Sequence, residues 1–584
     1  MPASHFQHLH HSHWAQLPAH PLTADALRQL QSDWAQKVDE CLLQHWQSFA
    51  TLAQEACLCA VGGYGRTELY PHSDLDVLCL LPDTPSAVAE QEWEAFYSQC
   101  WDAGLSLASS VRSPAQCAQE ASADLTVQTA LLEVRYLAGR GDLLADMQAR
   151  LSRQTDSAVF LRDKLAEQTR RHSKFGPGPY NLEPNCKESP GGLRDLHLLY
   201  WGMRMAALCQ PQARFWQAAT QAQLLDAAEA QTLAQSWAFI ATVRCHLHSL
   251  AGREEDRLLF DWQIALAQAL GYEHQGSAGQ TEGSIYMRSA SAAFMRDYYA
   301  AIKSSLQMLE MALLRLQAQL LPPSPAQPLD ADFELQAGYL ALRTPKTQPD
   351  WVWQAFSHYQ LQPSILGFSA DTLRAFYRSQ AQMGSDFYAS ASSRQAFLRC
   401  LQAPQGITRV LRRMNVCGFL AHYLPSFAST VGQVQHDLMH AYTVDQHILL
   451  VLSFVRRFFV LQFAHEVPQC QGIAAHFDRP WVLYLAALFH DIAKGQGGDH
   501  STLGAQAAQR FAQEHALAAA DAELLEFLVR EHLSLSQVAQ KQDLSAPEVI
   551  AAFAQKMGDL RHLQALYLLT VADIRGTNPQ LWTE

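Results

Sequence analysis

The sequence predicts an α+β fold: a mixed-sheet head, a helical middle domain and an all-α C-terminal domain. Three observations predict it. Ala60 to Leu81 reads as strand, glycine-rich turn and strand; Leu198 to about Leu320 keeps helical apolar spacing; and from His447 onward isolated His and Asp residues interrupt apolar helices.

The head is organised around AVGGYGRTELYPHSDLDVLCLL, residues 60–81. Gly62, Gly63 and Gly65 remove side chains from a turn, so backbone N–H groups can approach a triphosphate, and a helix N-terminus favours negative charge. On the returning strand Asp74 and Asp76 stand two residues apart. Both carboxylates therefore share one face, while Leu75 and Val77 take the other. Paired carboxylates repel each other unless a divalent cation neutralises them. The glycines or the D-x-D alone could be an ordinary turn and a polar strand edge. In this order and this close together they point to metal-assisted nucleotidyl transfer, with Asp74 and Asp76 as catalytic ligands and Arg66 at the nucleotide.

The remaining elements follow in order. Residues 1–24 are expected to be a disordered His-rich tail, with His5, His8, His10, His11 and His13 either chelating metal or simply solvated. The spacing of Leu27, Leu30, Trp34, Val38, Leu42 and Trp46 predicts a helix from Thr23 to about Gln54, opening a head that spans 25–155. A second helix is expected over Ala87 to Asp102 and a short strand near Ser106 to Val111. Residues 120–170 read as helical and contain the acidic residues Asp124 and Glu133. Asp124 is the candidate third carboxylate of the transferase, although its place before Leu125, Val127 and Leu131 equally suits a helix N-cap.

Residues 156–320 form the predicted helical domain. Its first part, KFGPGPYNLEPNCKESPGGLRDLHL at 174–198, is too rich in turn formers and charge for a core element. It is expected to be an ordered loop in which Lys187 and Arg194 grip phosphate or balance leaving pyrophosphate, the alternative being a solvated linker. Residues 321–330 carry PPSPAQP and read as a linker; 331–430 follow as a mostly helical connecting region, and 431–584 as the all-α domain.

Composition narrows the class. Of 584 residues, 48% are hydrophobic and 17% charged, which describes a globular chain with length for several cores. The best transmembrane candidate, Ile448 to Ala464, is interrupted by Arg456 and Arg457, and the N-terminus lacks the pattern of a signal peptide. A cytoplasmic protein without membrane partners is expected. Twelve cysteines with no C-x-x-C pair suit scattered reduced thiols, and a net charge of −13 argues against a nucleic-acid partner.

The second chemical centre begins at QHDLMHAYTVDQH, residues 435–447. Thr443 with Gln446 three residues later predicts a capping box that puts His447 in a first helical turn. Trp481 to Ala493 reads as an apolar helix interrupted by His490 and Asp491, and His500, His532 and Asp573 follow. The order His, His-Asp, Asp across helices is similar to that of the HD metal-dependent phosphohydrolases. Imidazole and carboxylate suit a divalent ion that activates water. His447, His490, Asp491 and Asp573 are the candidate ligands, with His490 and Asp491 also catalytic. His500 and His532 are candidates for a second metal or a proton donor, and His436, Asp437 and His440 for capping or supporting roles.

GGYGRTELYPHSDLDVL, PNCKESPGGLRD, QHDLMHAYTVDQH, HDIAKGQGGDHS and TVADIRGT, all in order, closely resemble the bacterial bifunctional uridylyltransferase/uridylyl-removing family over nearly the whole chain from about residue 25. The resemblance implies a nucleotidyltransferase-like head that moves UMP from UTP to a tyrosine of the PII signal-transduction protein, and an HD domain that hydrolyses it off again. It implies that Gly62 and Gly63 hold the triphosphate, that Asp74 and Asp76 hold Mg2+ or Mn2+, and that His447, His490, Asp491 and Asp573 serve removal. Thr67 and Ser189 stand where glycine is usual. Family members continue into two glutamine-sensing ACT domains, whereas this sequence stops at Glu584, so either it is truncated or its control has changed. The competing readings are a tRNA-terminal nucleotidyltransferase, which the acidic balance and PNCKESPGGLRD oppose, and a non-catalytic nucleotide-binding regulator, which the retained Asp74, Asp76, His490 and Asp491 oppose.

Overall fold

The computed structural model describes residues 3–175, 181–272, 283–322, 324–346, 348–434 and 442–577. His436, Asp437 and His440 lie outside the described residues. The chain divides into two compact units, residues 1–179 with 183–323, and 180–182 with 324–584. The division falls inside the Pro-rich stretch.

The first unit contains a mixed four-stranded sheet in the order β3-β2-β1-β4, formed by β1 (Cys57–Ala60), β2 (Leu75–Leu80), β3 (Leu107–Arg112) and β4 (Arg135–Gly139). β1 runs antiparallel to both β2 and β4, and β2 parallel to β3 with Asp76 opposite Ala108. β1 is buried on both faces, which suits its unbroken run of small apolar residues, CLCA. Cys57, Cys59, Leu78 and Leu80 pack on Cys117 and Ala121 of helix Pro114–Ala123 and on Leu143 and Met147 of helix Gly141–Gln154. All twelve cysteines are buried thiols outside any disulfide. β4 is the strand that helical spacing over 120–170 concealed.

Two expectations near the N-terminus are corrected. The His-rich segment is a helix, Ala3–Trp14, because its apolar side docks: His13 is buried and stacks on Trp34 at 5.3 Å, with Phe6 at 5.6 Å from the same indole. The predicted helix to Gln54 is two, Ala24–Trp46 and Ala50–Glu55; Thr23 caps the first by accepting the Ala26 N–H. The middle of the unit is helical as predicted, from Leu193–Met205 to Gly283–Leu320.

The second unit opens with a small sheet in the order β5-β6-β7-β8: β5 (Gln327–Pro328), β6 (Phe333–Gln336), β7 (Tyr339–Leu342) and β8 (Gly367–Phe368). The end of the expected linker is therefore a strand, with Gln327 opposite Leu335. Strands of two to four residues leave too little alternation to detect in sequence. The rest of the unit is helical. Among the described residues no helix is long and apolar enough to cross a membrane.

Candidate active sites

In the first unit, β1 ends at Ala60, and Gly62–Gly65 make one helical turn before the chain returns through Asp74 into β2. The Val61 N–H donates to the Asp76 carbonyl at 3.0 Å, which ties the turn to the strand. Gly62 has φ +60°, and a Cβ there would lie 2.6 Å from Asp76 Oδ2. Gly65 is equally constrained, since its Cβ would meet the Glu133 carbonyl at 2.0 Å. Both positions require glycine.

One cavity of about 170 Å³ brings together Gly62, Gly63, Arg66, Asp74, Asp76, Lys187 and Arg194. Sequence reasoning selected each of these separately. Burial, and the charges of Asp74 and Glu133, push the Asp76 carboxyl up to about 6. Two carboxylates lining one small cavity, one of them raised chiefly by burial, fit a hard divalent cation.

Asp124 is corrected as a third carboxylate. It is exposed and caps the helix Leu125–Leu132, accepting the N–H groups of Thr126 and Val127 at 2.6 and 3.4 Å. Glu133, at the other end of that helix, lines the cavity instead. Its carboxylate is engaged by Arg66 and by the Trp201 indole N–H. Arg66 in turn donates to Glu68 at 2.8 Å, and His197 reaches Glu68 at 3.2 Å. Burial and the neighbouring Arg66 cation hold His197 down to about 3, so it is neutral. Arg66 therefore belongs to a buried ionic wall of the cavity. Lys187 and Arg194 keep more exposed heads, pairing with Glu254 at 3.2 Å and Glu188 at 3.0 Å. The loop that carries them is ordered by Asp195. Its fully buried carboxylate accepts the Gly191 N–H at 2.7 Å and meets Arg171 and His172.

Asp195, Glu68 and His197 were not legible as site-building residues. Each also has partners far along the chain, Glu68 with His197 and Asp195 with Arg171 and His172, which an alternation or spacing test does not detect. Thr67, in place of the family's usual glycine, adopts φ 60°, while the Ser189 hydroxyl accepts the Asn185 N–H at 3.0 Å.

In the second unit the metal-type side chains sit at helix ends. His447 is in the first turn of Val444–Phe458, His490 caps the C-terminus of Pro480–Phe489, His500 opens His500–Glu514, and His532 caps Ala519–Glu531. Asp573 lies in Leu560–Thr577. The predicted helix thus stops at His490 rather than running to Ala493. The capping box is also corrected: the Thr443 hydroxyl donates to Asp445 Oδ1 at 2.8 Å and the Gln446 amide to Asp445 Oδ2 at 2.9 Å. Asp445, fully buried, also accepts Asn415 at 2.9 Å and thereby fixes the start of the helix that carries His447.

The six residues form two groups that share one aspartate. Nε2 of His447 lies 3.2 Å from Nε2 of His490 and 3.0 Å from Oδ1 of Asp573. Asp491 turns Oδ2 toward His447 at 3.6 Å and Oδ1 toward His500 and His532 at 3.7 and 3.8 Å. His490 and His532 each donate Nδ1–H to a backbone carbonyl, of Ala487 at 2.9 Å and Val529 at 2.8 Å. That fixes the tautomer with the Nε2 lone pair aimed inward, and His532 Nε2 is a buried nitrogen with no hydrogen-bond partner. His447, His490 and Asp573 form one group of donor atoms with metal-ligand spacing, and Asp491, His500 and His532 a second. Burial would raise the Asp491 carboxyl, but His490, Lys494 and His447 hold it well below the usual carboxylate range. Two divalent ions would suit these donor sets, one at His447, His490 and Asp573 and one at Asp491, His500 and His532.

A nucleotidyltransferase-like domain and an HD phosphohydrolase domain in one chain is the class that these folds and sites define. Residues 159–313 match the model of the GlnD PII-uridylyltransferase, 333–423 that of the uridylyltransferase GlnD third domain, and 444–557 that of the HD domain. Two of the three matched models are GlnD uridylyltransferase domains, and the third is the general HD domain. Curated proteins named bifunctional uridylyltransferase/uridylyl-removing enzyme are similar to it throughout. That of Ralstonia nicotianae is 45% identical over 94% of this chain and 62% of its own length; that of Thiobacillus denitrificans is 46% identical over 93% and 63%. The Bordetella avium protein is 47% identical over 90% and 60%. The chain thus spans a little over three fifths of the length of these relatives.

Proposed function

We propose that this chain transfers UMP from UTP to a tyrosine of the PII nitrogen-regulatory protein, releasing pyrophosphate, and hydrolytically removes UMP from uridylylated PII. The reading places it in the cytoplasm. The observation that carries it is the presence of two separate donor sets, one of two carboxylates at the start of a strand beside a glycine turn and one of imidazoles and carboxylates on helices and at their ends. Similarity to uridylyltransferase/uridylyl-removing enzymes supports the choice of substrates.

Divalent ions, Mg2+ or Mn2+, held by Asp74 and Asp76 and by His447, His490, Asp491 and Asp573 would neutralise phosphate charge in the first site and acidify a water in the second. The chain's own groups do the rest. The turn at Gly62 and Gly63 presents backbone without Cβ obstruction to the phosphates. Lys187 and Arg194 add cations to the lining of the same cavity, where they would offset charge accumulating on departing pyrophosphate. In the second site Lys494 pairs with Asp491 at 2.8 Å and holds it ionised and oriented. His500, more exposed than His532, would either help hold a second ion with Asp491 and His532 or return a proton to the departing tyrosine oxygen.

Incubation with labelled UTP and either PII or tRNA tests the reading. Label on PII, removed on longer incubation without UTP, is the expected result. Label on tRNA, or on neither, overturns it.

A further inference from the structure

The transferase cavity is too small for its substrate. Pockets that enclose a small-molecule ligand run from about 300 to 1,000 Å³, whereas the space between the glycine turn and Lys187 is about 170 Å³. It holds phosphates and cation, so the nucleoside half must lie in an adjoining space. A second cavity of about 500 Å³ adjoins it and shares Ser73, Asp74 and Glu254 with it. Nothing above assigns this cavity a role.

Its walls are unlike those of the phosphate site. The N-terminal helix contributes Phe6, Gln7 and His10; the segment before β2 contributes His72; Ser106 and Arg253 complete it. The rings of His10 and His72 stand 5.1 Å apart at 47°, giving two flat π surfaces at the cavity wall. His10 donates Nε2–H to the Pro71 carbonyl at 2.6 Å, so its Nδ1 carries a lone pair able to accept a base N–H. The Gln7 amide offers a donor and an acceptor together. Flat rings with hydrogen-bonding edges suit a planar heterocycle, and an open cleft of this size suits a small molecule rather than a folded protein, which needs about 800 Å² of surface per partner.

We propose that this cavity is the nucleoside subsite of the transferase: base against His10 and His72, ribose toward Ser73, and the phosphate chain crossing Asp74 into the glycine turn. The proposal rests on the transferase reading above and deepens it. It also gives the His-rich first helix a task, recognition of the nucleotide base.

The test measures binding to the full chain with Mg2+ of two probes, a non-hydrolysable UTP analogue and inorganic tripolyphosphate, which has no base. His10→Ala removes one ring at a distance from the carboxylates, and Ser106→Trp fills the cavity from an exposed position. Both variants are expected to weaken the UTP analogue at least tenfold and leave tripolyphosphate within twofold. Unchanged affinity for the analogue in both variants, or equal loss of both probes, overturns the subsite while leaving the transferase reading intact. Failure of the wild-type chain to bind either probe overturns both.

Discussion

The Cβ that Gly62 lacks would lie 2.6 Å from Oδ2 of Asp76, so the glycine turn and the Asp76 carboxylate are in van der Waals register with each other. The turn is positioned by the carboxylate, and the carboxylate by the turn. Gly63 differs, since its Cβ would meet nothing closer than the Glu68 carbonyl at 3.4 Å and its φ is not positive. Gly62→Ala should therefore reduce transfer by about a hundredfold or more, the scale of losing a transition-state contact, whereas Gly63→Ala should cost much less. Steady-state transfer to PII by both variants decides this; equal losses would show that the register does not matter.

The two donor sets should separate genetically. Asp74→Asn and Asp76→Asn are expected to abolish transfer and leave removal, and His490→Ala with Asp491→Ala the reverse. Assaying each reaction alone, with uridylylated PII supplied for removal, reads the outcome. Loss of both activities in a folded Asp76→Asn protein defeats the two-site account.

The Arg66 to Glu133 pair is buried on both sides. Burial would lower the Arg66 pKa, but Glu133 and Glu68 raise it, so the cation persists and depends on both partners. Removing one partner of such a pair leaves an uncompensated charge. Glu133→Ala should destabilise the first unit by about 3–5 kcal/mol, with transfer lost through unfolding and not by loss of metal affinity alone. Chemical denaturation of the variant checks this. A wild-type midpoint would instead assign Glu133 a purely chemical role.

His515 gives the second unit a pH dependence. Its Nδ1–H donates to the Phe511 carbonyl at 2.9 Å, so Nε2 accepts the Tyr423 O–H at 2.6 Å, and the ring stacks on Phe511 at 3.7 Å. Burial lowers its pKa to about 4. An unfolded histidine titrates near 6.5, so between about pH 6.5 and 4 the unfolded chain binds a proton that the folded one refuses. Stability from this group is complete above that window and declines as pH falls through it. The unfolding midpoint of wild type relative to His515→Phe should therefore drop on going from pH 7 to pH 5. A constant difference would rule out this linkage.

Thr67 occupies a left-handed conformation that a β-branched residue adopts at a cost of about 1–2 kcal/mol. Thr67→Gly should raise the unfolding midpoint of the first unit without altering the cavity residues. A lowered midpoint would mean that the Thr67 hydroxyl contributes more than the backbone strain costs.

Local chemistry was legible in the sequence wherever it depended on near neighbours. The glycine turn, the close spacing of Asp74 and Asp76, the cap at Asp124 and the apolar helix ahead of His490 all follow from residues within a few positions of one another. The third carboxylate was misread because Asp124 and Glu133 occupy the two ends of the same eight-residue helix, and only its packing shows which end faces the cavity.

By itself the sequence determined which residue types could bind phosphate and cation and in what order they occur along the chain, because strand and helix periods are short-range steric properties. Tertiary structure alone decided that Lys187 joins Asp76 at one cavity, that Asp491 faces both histidine groups, and that the first helix closes a space beside Asp74. Those relationships arise from burying apolar faces between elements more than a hundred residues apart in some cases, and no local period encodes them.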